Sequence, residues 1–356
     1  MPKHRSQKRI GREVFEVNIL DGLADPVILI DEHRIFVDGN SAAFEIVGDD
    51  ARGQDLADAI DSPQIVEAVD RVLQGEALQQ GEAFIPSPVS RTYEIRVLDL
   101  SARNPNKAGW VMLVLHDVSS TKQAEKMRAD FVSNVSHEMR SPLSTLLGFI
   151  ETLRGPARDD LEAQERFLAI MEEEAKRMTR LINDLLALSK VEADEHIRPD
   201  MFIDIQKLLS EVVNILSVRA NERDMCIKLN PALSLPMVVG DKDELVQVFR
   251  NLVDNAINYG TAGTTVQISA KCEEATPKAM ISIAVTNQGE GIESKYLPRL
   301  TERFYRIDKG RSRATGGTGL GLAIVKHIVN RHRGRLEISS VSGESTIFTV
   351  FLPARD

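Results

Sequence analysis

Two long helical stripes separated by one short break constrain this chain more than any other feature. From Phe131 to Leu153 the apolar residues Phe131, Val135, Met139, Leu143, Leu147 and Ile150 recur at helical spacing and form one continuous stripe. The run from Arg154 to Asp160, with Gly155 and Pro156, interrupts the pattern. In the helix that follows, Leu161, Leu168, Ala175 and Ile182 fall seven apart, with Met171, Met178 and Leu185 in the complementary positions. Two helices joined by a short loop cannot cover their own stripes. The pattern predicts a helical hairpin that pairs with a second copy into a four-helix bundle, and hence a homodimer. A monomeric hairpin packed on another domain is the rival arrangement.

Polar chemistry gathers on the first stripe, where His137, Glu138, Arg140 and Ser141 run into Pro142. Pro142 removes a backbone donor and crowds the carbonyl of Glu138, so the spacing predicts a kink that exposes the imidazole one turn earlier. A lone histidine on an amphipathic helix is ordinarily a solvated side chain. With Glu138 beside it to accept the Nδ1 proton, Nε2 becomes a nucleophile, the base-activated arrangement of a covalent phosphoryl acceptor.

The remaining bounds exclude whole classes. A net charge of −9 does not suit a protein devoted to nucleic acid. Cys226 and Cys272 make neither a disulfide framework nor a metal cluster, which places the chain in a reducing cytoplasm. The longest apolar runs, at 27–30 and 110–115, are strand-sized and far short of a membrane span. Lys3, Arg5, Lys8, Arg9 and Arg12 precede no apolar core, so residues 1–14 are expected to be a basic leader rather than a signal peptide. Such a cluster also allows peripheral contact with anionic lipid, at about 1 kcal/mol per charge, or with a membrane-bound partner.

Residues 15–118 have the pattern of one mixed domain. Strands are expected at 25–31, 34–37, 92–100 and 110–115, with a helix capped by Asn40 and another over 65–73. Residues 119–195 carry the signalling helix and hairpin. From 196 onward the pattern is α/β: helices at 206–221, 241–259 and 318–333, and strands at 265–271, 279–286, 334–340 and 345–352. Three features in this part point to phosphate chemistry. Asn251 and Asn255 lie one helical turn apart, so their amide oxygens can share a hard cation such as Mg²⁺. The run 287–292 follows a strand, and its glycines let backbone approach a flat ligand. The glycine-rich run 316–324 opens a helix whose free N–H groups suit polyphosphate. It neither follows a strand nor contains GxxxxGK[ST], which excludes P-loop and Rossmann sites.

The run HEMRSPL resembles the phosphoacceptor box of sensor histidine kinases, and the three later motifs resemble the ATP-binding domain shared by histidine kinases, type II topoisomerases and Hsp90 chaperones. The strand-helix-strand outline of 15–118, ending in HisAspValSer, resembles a PAS domain. That front, with ProArgLeuThrGluArgPheTyrArgIleAsp at 298–308, looks most like the phosphate-regulon sensor kinases. The resemblance implies a multidomain α+β fold. Its parts are a PAS-like α/β sensor, a helical-hairpin dimer forming a four-helix bundle, and an α/β-sandwich ATP-binding domain. It also implies ATP-dependent phosphorylation of His137, transfer to a response regulator receiver domain, and a matching phosphatase activity in which Ser141 orients water.

Residue by residue, Asn255 would ligate Mg²⁺ with Asn251 in support, and Tyr259 would stack on adenine. Arg306 would reach the γ-phosphate. Gly289 and Gly291 would face the base, and Gly317, Thr318, Gly319, Leu320 and Gly321 would cradle the phosphates under a lid at 294–316. Two positions depart from the family pattern. Asn287 stands where an aspartate recognises adenine, which costs the charge assistance of that hydrogen bond, about 1 kcal/mol. Asn258 stands where a lysine contacts phosphate. These departures keep a second reading open, a degenerate kinase acting mainly as phosphatase or scaffold.

Overall fold

The computed structural model describes residues 20–76, 78–86, 89–100, 109–230, 235–273, 279–308 and 317–354. The expected basic leader at 1–14 and the end of the expected lid, 309–316, lie outside the described residues. Packing divides the chain into two units, Met1–Val132 and Ser133–Asp356.

The first unit is an antiparallel sheet with helices on it. Its elements are β1 (Val27–Ile30), β2 (Phe36–Gly39), α1 (Ser41–Val47), α2 (Leu56–Ala59), α3 (Pro63–Leu73), β3 (Gln79–Ile85), β4 (Arg91–Asp99) and β5 (Val111–Asp117), in sheet order β2-β1-β5-β4-β3. Alternate residues of β4 and β5, namely Tyr93, Ile95, Val97, Val111, Leu113 and Leu115, are buried in one core with Ile65, Val69 and Val72 of α3. Each such aliphatic burial stabilises by roughly 1.5–3 kcal/mol.

Asn40 caps α1, as the sequence predicts, and also ties in the segment before β1. Its Oδ1 accepts the N–H of Val27 at 2.9 Å and of Ala43 at 3.1 Å. Its Nδ2 donates to the carbonyls of Leu20, Leu23 and Asp25 at 3.1, 3.2 and 2.8 Å. His33 and His116 are both exposed, and His116 Nδ1 lies 3.0 Å from both carboxylate oxygens of Asp25.

The second unit begins within α4 (Ser119–Arg154), which forms a hairpin with α5 (Leu161–Ala193). Asp160 starts α5 by accepting the N–H of Ala163 at 3.0 Å, and Phe149 stacks on Phe167 at 5.0 Å across the hairpin. The helix α4 continues through the buried Pro142 as one element. Leu143, Leu147, Leu161, Leu168 and Ile182 of the two apolar stripes are exposed, up to 80% at Leu161.

The rest of the unit comprises β6 (Met201–Ile203), α6 (Ile205–Asn221), β7 (Cys226–Asn230), β8 (Val238–Gly240), α7 (Lys242–Tyr259), β9 (Thr265–Glu273), β10 (Met280–Gln288), α8 (Gly321–Arg331), β11 (Arg335–Val341) and β12 (Ser345–Pro353). The main sheet has the order β11-β12-β10-β9-β7, antiparallel except for β7 beside β9. Three helices bury Val212, Leu245, Phe249, Leu252, Ile324 and Ile328 with sheet residues Ile283, Val285 and Val350. Asp204 and Asp241 cap α6 and α7 through the N–H groups of Lys207 and Glu244, both at 3.1 Å. Such caps are worth about 1 kcal/mol each.

At the end of α8, buried His332 accepts the Asp241 N–H at Nε2 (2.9 Å) and donates from Nδ1 to the Ile328 carbonyl (2.8 Å). Both nitrogens are satisfied only in the neutral ring, and burial lowers its pKa. Arg331 pairs with Glu244 and donates to the carbonyls of Asp194 and Ile197 at 3.1 and 3.0 Å, which fastens the end of α5 to α8. Three differences from the sequence reading stand out. α8 begins at Gly321 rather than 318, because 317–320 form a turn. The edge strands β3 and β7 and the small β6–β8 pair carry no strong strand signal.

Candidate functional site

The site grows from one face of α7. Asn251 Nδ2 donates to the Gly321 carbonyl at 3.3 Å, so this residue ties α7 to the start of α8 and keeps its amide oxygen for a ligand. Asn255, one turn on, is half-buried and has no hydrogen-bond partner among the described residues. Its free carboxamide oxygen suits a hard cation. Tyr259 ends the helix with 42% of its surface exposed. Asn258 is fastened sideways. It accepts from Arg219 Nη2 of α6 at 3.2 Å and donates to Asp254 Oδ2 at 3.2 Å. Arg219 also pairs with Asp254, so a cation from α6 stands beside the neutral position 258.

The turn after β10 presses on the end of α7. Asn287 is buried there, its Nδ2 3.5 Å from the Gln288 carbonyl. A Cβ at Gly289 would lie 2.5 Å from the Tyr259 carbonyl, and Gly291 adopts φ +66° against the Val341 carbonyl. At both glycines the missing side chain admits backbone to backbone, which packs this turn against the end of α7 and the end of β11.

The turn before α8 contains Gly317, Thr318, Gly319 and the fully buried Leu320, and Gly321 opens the helix. Gly319, at φ +75°, accepts the N–H of Phe304 at 2.8 Å. A Cβ at 319 would meet Phe304 Cα at 2.9 Å and Arg306 Nε at 3.2 Å. Arg306 is therefore aimed at the glycine turn. Its side chain is 6% exposed, and its Nε is buried without a partner. Burial pushes its pKa down. A desolvated guanidinium with an unsatisfied N–H at a glycine-rich helix start fits a phosphate anion.

The hairpin supplies the other groups. His137 is exposed and has no hydrogen-bond partner among the described residues. Glu138 does not hold the imidazole as expected. Its Oε2 accepts from Arg177 Nη2 at 2.9 Å and from Arg306 Nη2 at 3.4 Å. Consecutive helical residues point in different directions, and opposite charges on α5 and near the glycine turn capture the carboxylate. Ser141 is exposed with its hydroxyl unpartnered among the described residues, while its carbonyl accepts from Thr145 Oγ1 at 3.1 Å.

Sequence reasoning missed Arg177, Arg219 and Asp184. Asp184 Oδ2 accepts the Thr318 hydroxyl at 2.6 Å, and burial raises the pKa of this carboxylate. The available signal for Asp184 was a carboxylate inside the otherwise largely apolar run LINDLLAL.

Comparison with known proteins gives two family matches. Residues 127–194 match the His Kinase A (phospho-acceptor) domain, and 240–356 match the histidine kinase-, DNA gyrase B-, and HSP90-like ATPase. The phosphate regulon sensor protein PhoR of Pseudomonas aeruginosa is 36% identical over 99% of this chain and 78% of that protein. The sensor histidine kinase WalK of Bacillus subtilis is 33% identical over 75% of this chain, which spans 44% of that relative's length. Among solved structures, the Acinetobacter baumannii histidine kinase AdeS is 25% identical, covers 62% of this chain and 98% of its own, and gives a TM-score of 0.47.

Proposed function

The chain is a sensor histidine kinase of the two-component type, and from that premise we propose that the γ-phosphoryl group of ATP passes to Nε2 of His137 and then to an aspartate on a response regulator's receiver domain. The observation that carries the site assignment is the buried, unpartnered Arg306 Nε at the glycine turn. In the first step the Nε2 lone pair attacks the γ-phosphorus, a nitrogen–phosphorus bond forms, and the bond to the ADP oxygen breaks. ADP leaves. In the state described Glu138 is held by Arg177 and Arg306, so it takes the Nδ1 proton of the charged imidazole only after turning from them to His137. Arg306 and the start of α8 stabilise charge on the transferred group. Mg²⁺ on Asn255 would neutralise phosphate oxygens when bound.

The exposed stripes of α4 and α5 support a homodimer formed through the hairpin. Residues 15–118 would sense, 119–195 dimerise and accept phosphate, and 196–356 bind ATP. Among the described residues no helix is long and apolar enough to cross a membrane. We place the reaction in the cytoplasm, with membrane contact left to a leader or partner. The likeness to PhoR supports phosphate-responsive signalling, and the free hydroxyl of Ser141 supports a phosphatase role.

Incubation with γ-labelled ATP tests the reading. Acid-labile label on the chain is expected. ATP binding without label would favour the scaffold reading, to which the uncharged Asn258 and Asn287 lend weight.

A further inference from the structure

Two carboxylates of the hairpin reach donors of the glycine turn, and one of them has no role in the chemistry described above. Asp184 projects from α5 and accepts a 2.6 Å hydrogen bond from the Thr318 hydroxyl. The same hydroxyl oxygen accepts the Leu320 N–H at 3.3 Å, so carboxylate, hydroxyl and the backbone at the start of α8 form one chain. Thr318 has a single proton to donate, and here it goes to Asp184. The neighbouring donor Arg306 is engaged in parallel by Glu138 of α4 at 3.4 Å. Near the end of α5 Glu192 pairs with Arg303 at 2.6 Å, and just beyond it Glu195 pairs with His327 at 3.2 Å.

We propose that Asp184 is a positioning residue that seats the glycine turn on the hairpin through Thr318 and is displaced from Thr318 by the phosphates of an incoming nucleotide. This rests on the nucleotide reading of the site. A phosphate at the turn either accepts the Thr318 proton in place of Asp184 or brings a second anion against it, and both outcomes oppose the seated state. Seating therefore lowers the fraction of molecules ready to bind polyphosphate, and apparent affinity falls by that fraction.

The test is equilibrium binding of ATP, ADP and adenosine to the full chain, for the parent and for Asp184→Ala and Asp184→Asn. Loss of one hydrogen bond to a charged group predicts ATP and ADP binding about tenfold tighter in Asp184→Ala, with adenosine unchanged. Asp184→Asn keeps the shape and loses the charge, so it lies between parent and alanine and carries the test should the alanine variant fail to fold. A merely structural Asp184 would leave nucleotide affinity unchanged or weaken it, and either result overturns the proposal. Equal tightening of adenosine also overturns it, because the effect would not run through phosphate. A parent that binds none of the three sinks the nucleotide reading itself.

Discussion

The hairpin and the ATP-binding part are made of similar amphipathic helices and finish in opposite conditions. In α7 the apolar face of Leu245, Phe249, Leu252 and Ala256 is buried to 1% exposure or less, because sheet residues such as Ile283 and Val285 meet it within the same chain. In α4 and α5, Leu147 remains 54% exposed and Leu168 56%. The same hydrophobic periodicity thus yields a closed core where a sheet is supplied and an open seam where only a second helix is. The proposed chemistry divides the same way. The groups proposed to bind nucleotide sit on the closed part, and the proposed phosphoryl acceptor His137 sits on the open one, where a nucleophile is reachable.

The contrast breaks most visibly at His137. His137→Gln is expected to abolish acid-labile labelling while nucleotide binding persists, since the acceptor lies outside the binding part. Label retained on that variant would place the acceptor elsewhere. Glu138→Ala should slow labelling by about 10²- to 10⁴-fold, the usual worth of a positioned base. An unchanged rate would leave Glu138 as the partner of Arg177 and Arg306 alone.

The open seam is tested next. Leu147→Glu with Leu168→Glu should weaken self-association by at least about 30-fold, the cost of losing one strong interface anchor. Sedimentation at several concentrations reads this, and unfolding of the ATP-binding part should be unchanged. Equal association constants for variant and parent would mean the seam is covered by something other than a second copy.

Ser141→Ala sharpens the division within the hairpin. Autophosphorylation should stay within about twofold, while dephosphorylation of a purified phospho-regulator slows by about tenfold, in line with loss of a water-positioning group. Equal phosphatase rates would remove the hydroxyl from the mechanism.

The smallest effect concerns the closed part. His332 is buried neutral with a lowered pKa, so the unfolded chain binds the extra proton first as pH falls. Stability should decline below about pH 6.5, by up to about 1.4 kcal/mol per pH unit, and hold above it. His332→Gln retains an acceptor for the Asp241 N–H and should flatten the decline in denaturant titrations. An identical slope in both proteins would assign the acid sensitivity to other groups.

Much of this was legible before any coordinates. Residue-local signals succeeded: the Asn40 cap, the period-2 pattern of β4, the apolar run of β5, and the glycine-rich start of α8. Pairings across the fold were not legible. Nothing near Glu138 in sequence announces Arg177 or Arg306, and nothing near Thr318 announces Asp184. A side chain's tertiary partner leaves no periodic trace. The edge strand β3 was missed for a related reason, since Gly81 and Glu82 dilute the alternation that a half-exposed strand needs. At Gly289 the composition marks a close approach, but sequence alone does not name the Tyr259 carbonyl as one of the groups that make it.

The interlock of Gly319 with Phe304 has a consequence on the timescale of sequence drift. Phe304 itself holds φ +63°, and no side chain fits at 319 without moving it. The atoms in the way belong to the backbone of Phe304, so a change of side chain at 304 opens no room, and 319 is held to glycine whatever residue stands at 304. Gly148, with open space around it inside α4, has no such barrier, and alanine there should be favoured by about 1 kcal/mol. Among descendants of this chain, 148 is free to wander while 319 stays fixed.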